Sequence, residues 1–325
     1  MPRLIGQWIV CLVVATSVLQ ADERHQHNLL EINTRTKRTY ACDDKSASVG
    51  RLASRAPVKI LIAVDSEGPT GVDEYWARNR KPEDPAAHRF RQLMTGDVNA
   101  AIQGCLAGGA TEVYVKDDGF RDQNLLLERL DKRAKLLPAG TRLLQGLDHS
   151  FSGVMLVGFH AMEGAEDAVL AHTWSSRRRR RYWFNGVEGG EVVAYAIVAG
   201  HDHRVPIVLA TGCTGLCREV RELLGAEVVT VPVKRLRGDG TVELFPAERT
   251  YKSIVSGAKR AVASLGRVEP YQVKFPLRIR LQLKDKQVTD GYEKWRRDNK
   301  RDWPGRRTDD NIIQAALATT KHIIL

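Results

Sequence analysis

From Lys59 to about Leu265 the apolar positions alternate between two patterns: short continuous runs of strand length, and longer stretches with apolar residues at helical spacing. The first run, Val58 to Gly71 (VKILIAVDSEGPTG), is β-branched and apolar up to Asp65 and is closed by Gly and Pro, the signature of a buried central strand. A helix is predicted over about Asp84 to Leu106, ended by Gly108-Gly109. Glu112 to Asp117 reads as the second strand, Asn124 to Leu137 as a helix with leucines at helical spacing, and Phe151 to His160 as another buried strand. Tyr182 to Asn185 is a short strand and Gly190 to Gly200 an apolar helix. Pro206 to Thr211 and Glu227 to Lys234 are strands on either side of a helix from Leu216 to Leu224, and Pro246 to Leu265 is a basic helix. Such alternation predicts an α/β fold in three layers, a mostly parallel sheet with helices on both faces. After it, Arg267 to Leu325 opens on alternating residues (VKFPLRIRLQLK) and ends in a helix from about Asp309 to His322, which predicts a small C-terminal α+β subdomain over 266–325.

The N-terminal pattern differs. Arg3 precedes a short apolar core, Trp8 to Ala15, and small residues follow, so 1–21 reads as a signal peptide with cleavage after Ser17 or Ala21. That core is too short to span a bilayer, which predicts export without stable membrane insertion. Residues 22–56 are polar and aperiodic, a disordered arm or tether before the main unit at 57–265. No small residue precedes Cys11, which argues against lipid modification there. The remaining cysteines are Cys42, Cys105, Cys213 and Cys217. Export permits a disulfide among them, and Cys213 and Cys217 at a helix start allow a soft-metal pair, but small buried side chains are the plainer reading.

Charge changes the picture little. Apolar residues make up 43% and charged residues 27% of the chain, ordinary for a globular protein. Arg177 to Arg181 and the segment from Arg267 onward supply all of the net charge of +11. The rest is neutral, so no basic face is spread over the fold and no nucleic-acid partner is expected. The arginine run reads first as a solvated loop, with a cationic rim that attracts substrate carboxylates as the alternative.

Chemistry concentrates at strand ends. Asp65 and Glu67 sit two apart in extended chain and point to one face, just past the carboxyl end of the first strand. Two such carboxylates repel unless a cation or proton lies between them, and a hard or borderline divalent metal suits their oxygens. The same edge should collect Asp117 and Asp118, then His160, with Glu191 at a helix start and His172 in AVLAHTW. Carboxylates and imidazoles gathered in this way look like a metal-hydrolase site.

Those residues resemble the D-aminopeptidase, DppA-like, family of zinc metallopeptidases over about Val58 to Leu325. The matching motifs are AVDSEG (Ala63 to Gly68), VKDDG, GFHA (Gly158 to Ala161), the histidine of LAHTW, and FNGVEGGE ending at Glu191. The resemblance implies two zinc ions side by side, bridged by Asp65, with Glu67 on one and His160 and Glu191 on the other. It places the catalytic histidine at His172, to stabilise the oxyanion or pass a proton to the leaving amine. The family histidine after the second strand is replaced by Gly119, and Asp117 or Asp118 is the candidate to supply an oxygen ligand instead; one metal, or lost catalysis, are the alternatives. The expected substrates are short peptides with an N-terminal D-amino acid, notably D-Ala, and the expected assembly is a ring-like homo-oligomer. The alternative functions are a non-catalytic peptide-binding protein on the same fold and a polyanion binder using the arginine run and tail.

Overall fold

A computed structural model describes residues 56–75, 84–118, 124–138, 143–299, 304–320 and 323. The predicted signal peptide, the tether before Ala56, Cys11, Cys42 and Gly119 lie outside them.

The first apolar run forms β1 (Lys59–Val64), buried from Ile60 onward. A run without polar alternation is what a strand covered on both faces requires. After α1 (Pro85–Ala107) come β2 (Glu112–Asp117), β3 (Ala134–Leu136) and β4 (Gly153–Val157). The chain continues through β5 (Arg181–Phe184), β6 (Val187–Gly189), α2 (Glu191–Ile197), β7 (Ile207–Cys213), α3 (Thr214–Leu224), β8 (Val229–Leu236), β9 (Val242–Leu244) and α4 (Ala247–Ala263). The main sheet has the order β3-β2-β1-β4-β7-β8-β9, parallel except for β9. Helices α1 and α4 pack on each other and on the sheet, and α3 lies against β7 and β8, so the expected mostly parallel sheet with helices on both faces is present.

Strand order locates the site. The chain runs outward from β1 to β2 and β3, then returns to place β4 on the other side of β1. The reversal leaves a crevice beyond the carboxyl ends of β1 and β4, where open α/β sheets bind ligands. Asp65 follows β1 and His160 lies three residues past β4. The two strand ends stay joined beyond the ladder, with the Asp65 amide donating to Val157 O at 2.9 Å and Gly68 N to Gly158 O at 2.7 Å. Gly68 is required here: a Cβ on it would lie 1.9 Å from Phe159 O.

Two predicted helices are not formed. Between Asn124 and Leu137 the chain makes only isolated turns, Leu130 N to Leu126 O and Ala134 N to Asp131 O, and then β3, which pairs in parallel with β2. Its leucines match helical spacing, but Leu125, Leu126 and Leu130 plug the core while Ala134–Leu136 satisfies the open edge of β2. In the tail the predicted terminal helix is instead a hairpin of β11 (Arg306–Asp309) and β12 (Ile312–Leu317). Ile313, Ala315 and Leu317 are buried with exposed residues between them, a period of two that pairing with β10 (Leu277–Gln282) rewards. The helix of this region, α5 (Lys286–Asp298), comes earlier, capped by the Asp285 carboxylate on Val288 N. β10 also pairs with β5, so a second, antiparallel sheet of order β11-β12-β10-β5-β6 joins the tail to the hairpin that precedes Glu191.

The arginine run is solvated only in part: Arg177, Arg179 and Arg181 are exposed, while Arg178 and Arg180 are drawn onto the fold. Arg178 stacks over Tyr292 and Trp295, and buried Arg180 over Tyr292, so both fasten the segment to α5. Arg179 pairs with buried Glu163 at 2.5 Å, and Arg181 with Glu188 at 2.6 Å. Cys105, Cys213 and Cys217 are free, buried thiols, and Cys213 Sγ caps α3 through Leu216 N.

Candidate metal centre

Asp65, Glu67, His160, His172 and Glu191 come together at the crevice. Asp65, Glu67, His160 and His172 are buried, and little of the Glu191 side chain is exposed. His160 Nε2 stands 3.4 Å from Asp65 Oδ2 and 3.3 Å from Glu191 Oε1. His172 Nε2 stands 4.0 Å from Glu67 Oε1, and the two imidazoles stack with centroids 3.8 Å apart and planes 13° from parallel. Two sets of three ligand atoms each fall within 4.8 Å of one another: Asp65, His160 and Glu191, and Glu67, His160 and His172.

Local structure fixes each ligand. Ser66 N donates to Asp65 Oδ1 at 2.7 Å and Ser66 Oγ to Glu67 Oε2 at 2.8 Å. His160 Nδ1 lies 3.0 Å from Ala161 O, and His172 Nδ1 lies 2.9 Å from Leu170 O. Glu191 opens α2, where the helix dipole favours an acid, and accepts from Trp174 N at 2.7 Å. The hydroxyl of Tyr75 donates to Leu170 O and sits 3.4 Å from His172 Nδ1.

Burial opposes a charge on His160, but Glu191 and Asp65 outweigh it and raise its pKa to about 9. Burial would raise Glu191, yet facing His160 holds it below the ordinary carboxylate value. Cationic character is therefore demanded at the spot where a metal would sit. The donor set fits a borderline divalent ion. Ligand bonds of about 2.0–2.1 Å in a tetrahedron put neighbouring ligand atoms about 3.3–3.4 Å apart, as His160 stands from its two carboxylates. Each imidazole also has the carbonyl behind its far nitrogen that metal-bound histidines characteristically have.

Asp117 and Asp118 do not join either set. Asp117 receives Asn124 N at 2.8 Å and Asn124 Nδ2 at 2.9 Å, tying Asn124 to the end of β2. Asp118 is ion-paired with fully buried Lys116 at 2.8 Å. Tyr195, one turn after Glu191, stays firmly protonated because burial and then Asp118, Asp65 and Glu191 lift its pKa.

Two supporting residues escape sequence reasoning. Lys234 is fully buried within β8, and its ammonium donates to Glu67 O at 2.6 Å and to Val72 O. Glu219, on α3, accepts from Met162 N at 2.8 Å and steadies the turn after His160. The only sequence signal is a lysine closing a largely apolar strand; for Glu219 there is none.

An open parallel sheet with buried carboxylates and imidazoles at its switch point defines a metallohydrolase. Relatives agree. A family model described as D-aminopeptidase matches residues 58–303. A D-aminopeptidase of Bacillus subtilis (strain 168) is 27% identical over 217 residues, 66% of this chain and 77% of that one. A solved structure, the Zn-dependent D-aminopeptidase DppA from Bacillus subtilis, a self-compartmentalizing protease, superposes with a TM-score of 0.71 at 22% identity, covering 81% of this chain and 93% of that one. The chain belongs to the D-aminopeptidase family and is a metallo-aminopeptidase.

Proposed function

We propose that the protein is an exported, zinc-dependent aminopeptidase acting on short peptides with an N-terminal D-amino acid. The observation that carries the metal centre is the convergence of Asp65 Oδ2 and Glu191 Oε1 on His160 Nε2 inside the switch-point crevice. Asp65, Glu67, His160 and Glu191 would hold the metal. Zinc, when bound in such a site, lowers the pKa of a water and polarises the scissile carbonyl. The chain itself supplies a buried wall, in which charges are screened less than in bulk water. Lys234 and Glu219 fix the backbone that carries Glu67 and His160, so the ligands are preorganised before substrate arrives.

Specificity for D-residues is supported by the family and by the D-aminopeptidase of Bacillus subtilis. Export is supported by the pattern of 1–21, and a ring-like homo-oligomer by the self-compartmentalizing relative. The test is zinc analysis of the purified mature protein coupled to hydrolysis of D-Ala and L-Ala dipeptides. Metal-dependent release of D-Ala supports the reading. Zinc binding with no turnover on either series would favour a non-catalytic peptide binder, a reading that Gly119, without an imidazole, already suggests.

A further inference from the structure

The segment between β4 and β5 carries His160, Glu163, His172 and the arginine run, and its backbone is bent into uncommon conformations. Leu170, Trp174 and Arg179 lie in the left-handed region, at φ 57°, 57° and 47°. Non-glycine residues are sparse there, and such positions persist only where surrounding contacts over-determine them. The contacts alternate along the run. Arg178 and Arg180 turn onto the rings of α5, which leaves Arg177, Arg179 and Arg181 facing outward.

The three outward arginines differ in what they still offer. Arg181 spends Nε and Nη2 on the Glu188 carboxylate, at 2.6 and 2.9 Å. Arg177 is exposed and nothing among the described residues fixes it. Arg179 is both fixed and available. Its Nε donates to Glu163 Oε1 at 2.5 Å, while 63% of the side chain stays exposed and neither Nη is bonded among the described residues. Glu163 is buried three residues after His160, and its amide donates to Thr173 Oγ1 at 3.1 Å, next to His172. Tyr75, edge-on to His172 with centroids 5.6 Å apart, feels both members of the pair. Burial and then Glu163 raise its pKa to about 12, and Arg179 opposes them. The guanidinium thus stands at the rim of the crevice, near Tyr75 and His172.

We infer that Arg179 receives the free C-terminal carboxylate of a short peptide on its two Nη groups, and that Glu163 is the positioning residue that aims them; the inference rests on the aminopeptidase reading above. A guanidinium gripped on Nε presents its Nη edge as a planar fork, the geometry that matches a carboxylate. Arg179 and Glu163 together are neutral, so selection comes from directed N–H groups and not from long-range attraction. Each extended residue moves the chain end about 3.3–3.6 Å further from the cleaved bond, so a fixed carboxylate site favours peptides of a few residues.

The probes are D-Ala-D-Ala and its C-terminal amide, which differ in terminal charge and little else. Both are assayed as steady-state substrates of zinc-loaded wild type, Arg179→Gln, Arg179→Lys, Glu163→Gln and, as a control, Arg177→Gln. Wild type should prefer the free acid, with the difference in KM. Arg179→Gln should raise KM for the acid about 5- to 10-fold, the loss of a charge-assisted pair at a partly exposed site. Its kcat should change by less than about twofold, and its kinetics on the amide should match wild type. Arg179→Lys keeps the charge without the fork and should recover only part of the loss. Glu163→Gln should shift the acid in the same direction by less, and Arg177→Gln should not shift it. An acid-to-amide ratio that is the same in wild type and Arg179→Gln overturns the assignment while the aminopeptidase stands, as does an equal loss on both substrates. Wild type that cleaves neither peptide sinks the parent reading and the assignment with it.

Discussion

Lys234 places its ammonium 2.6 Å from the main-chain oxygen of Glu67, beneath the loop that presents both acids of the D-x-E motif. The same nitrogen also reaches Val72 O. One buried cation thus replaces the hydrogen bonds that a tight, irregular loop cannot make to itself. Lys234→Met keeps the apolar stem and removes the donor, stranding these oxygens. The loss should be about 1–3 kcal/mol of stability, the usual cost of an unsatisfied buried polar group, with zinc retained less tightly. Chemical denaturation and zinc titration check both. Unchanged stability and zinc affinity would show the loop to be held by other contacts.

Gly68 touches the other wall of the crevice. An alanine Cβ would sit 1.9 Å from Phe159 O and 2.4 Å from Gly158 C, both main-chain atoms that cannot rotate away. Gly68→Ala should therefore push the Asp65–Glu67 segment off β4, cost about 1–3 kcal/mol, and depress activity more than Gly266→Ala, where a Cβ meets nothing. Thermal melts and kcat/KM of the two variants side by side are the check.

Glu67→Ala and His160→Ala should each reduce kcat/KM on D-Ala peptides by about 100-fold or more, since both lie in the ligand sets and neither packs the apolar core. Circular dichroism should show both folded. More than a few per cent of wild-type turnover in either would remove that residue from the site.

Much of this architecture was legible because buried parallel strands cannot alternate. Ile60 to Val64 and Val154 to Val157 read as unbroken apolar runs, and their ends deliver Asp65 and His160 to the crevice. The segment from Asn124 and the tail were misread for a common reason. In LLLERL the leucines fit helical spacing, but the free edge of β2 claims the chain that follows. In IIQAAL the strand signal is carried by only Ile313, Ala315 and Leu317, and the pairing offered by β10 lies far away in sequence. Lys234, Glu219 and the partners of the arginines were invisible because each gains its meaning from a contact made by another element.

Arginines 177–181 should not behave as one patch. Arg178 and Arg180 cover aromatic rings of α5, with Arg180 centred 4.9 Å from Tyr292. Arg178→Ser and Arg180→Ser should each lower stability, by about 0.5–2 kcal/mol, the range of cation–π contacts, and Arg177→Ser should not. Denaturant midpoints give the answer. Equal, negligible effects at all three positions would return the run to a solvated loop.

Asp97 offers a pH test away from the metal. Its carboxylate, buried on α1, accepts from Thr70 N at 2.8 Å and Thr70 Oγ1 at 2.7 Å, tying the helix to the loop that follows Glu67. Burial raises its pKa from 3.8 to about 6, against the pull of those hydrogen bonds and of Lys234. With the folded value above the unfolded one, the folded state binds the extra proton between these two pH values. That stabilisation is complete below pH 3.8 and disappears as pH rises through about 6. Asp97→Asn has no proton to gain, so the stability of wild type relative to the variant should increase as pH falls from about 7 to 4.5. The slope should approach, without exceeding, about 1.4 kcal/mol per pH unit. Urea denaturation of the pair across that window measures the difference directly. A wild type that instead loses ground to Asp97→Asn on acidification would mean that the carboxylate is held ionised by its Thr70 contacts, with a folded pKa below 3.8.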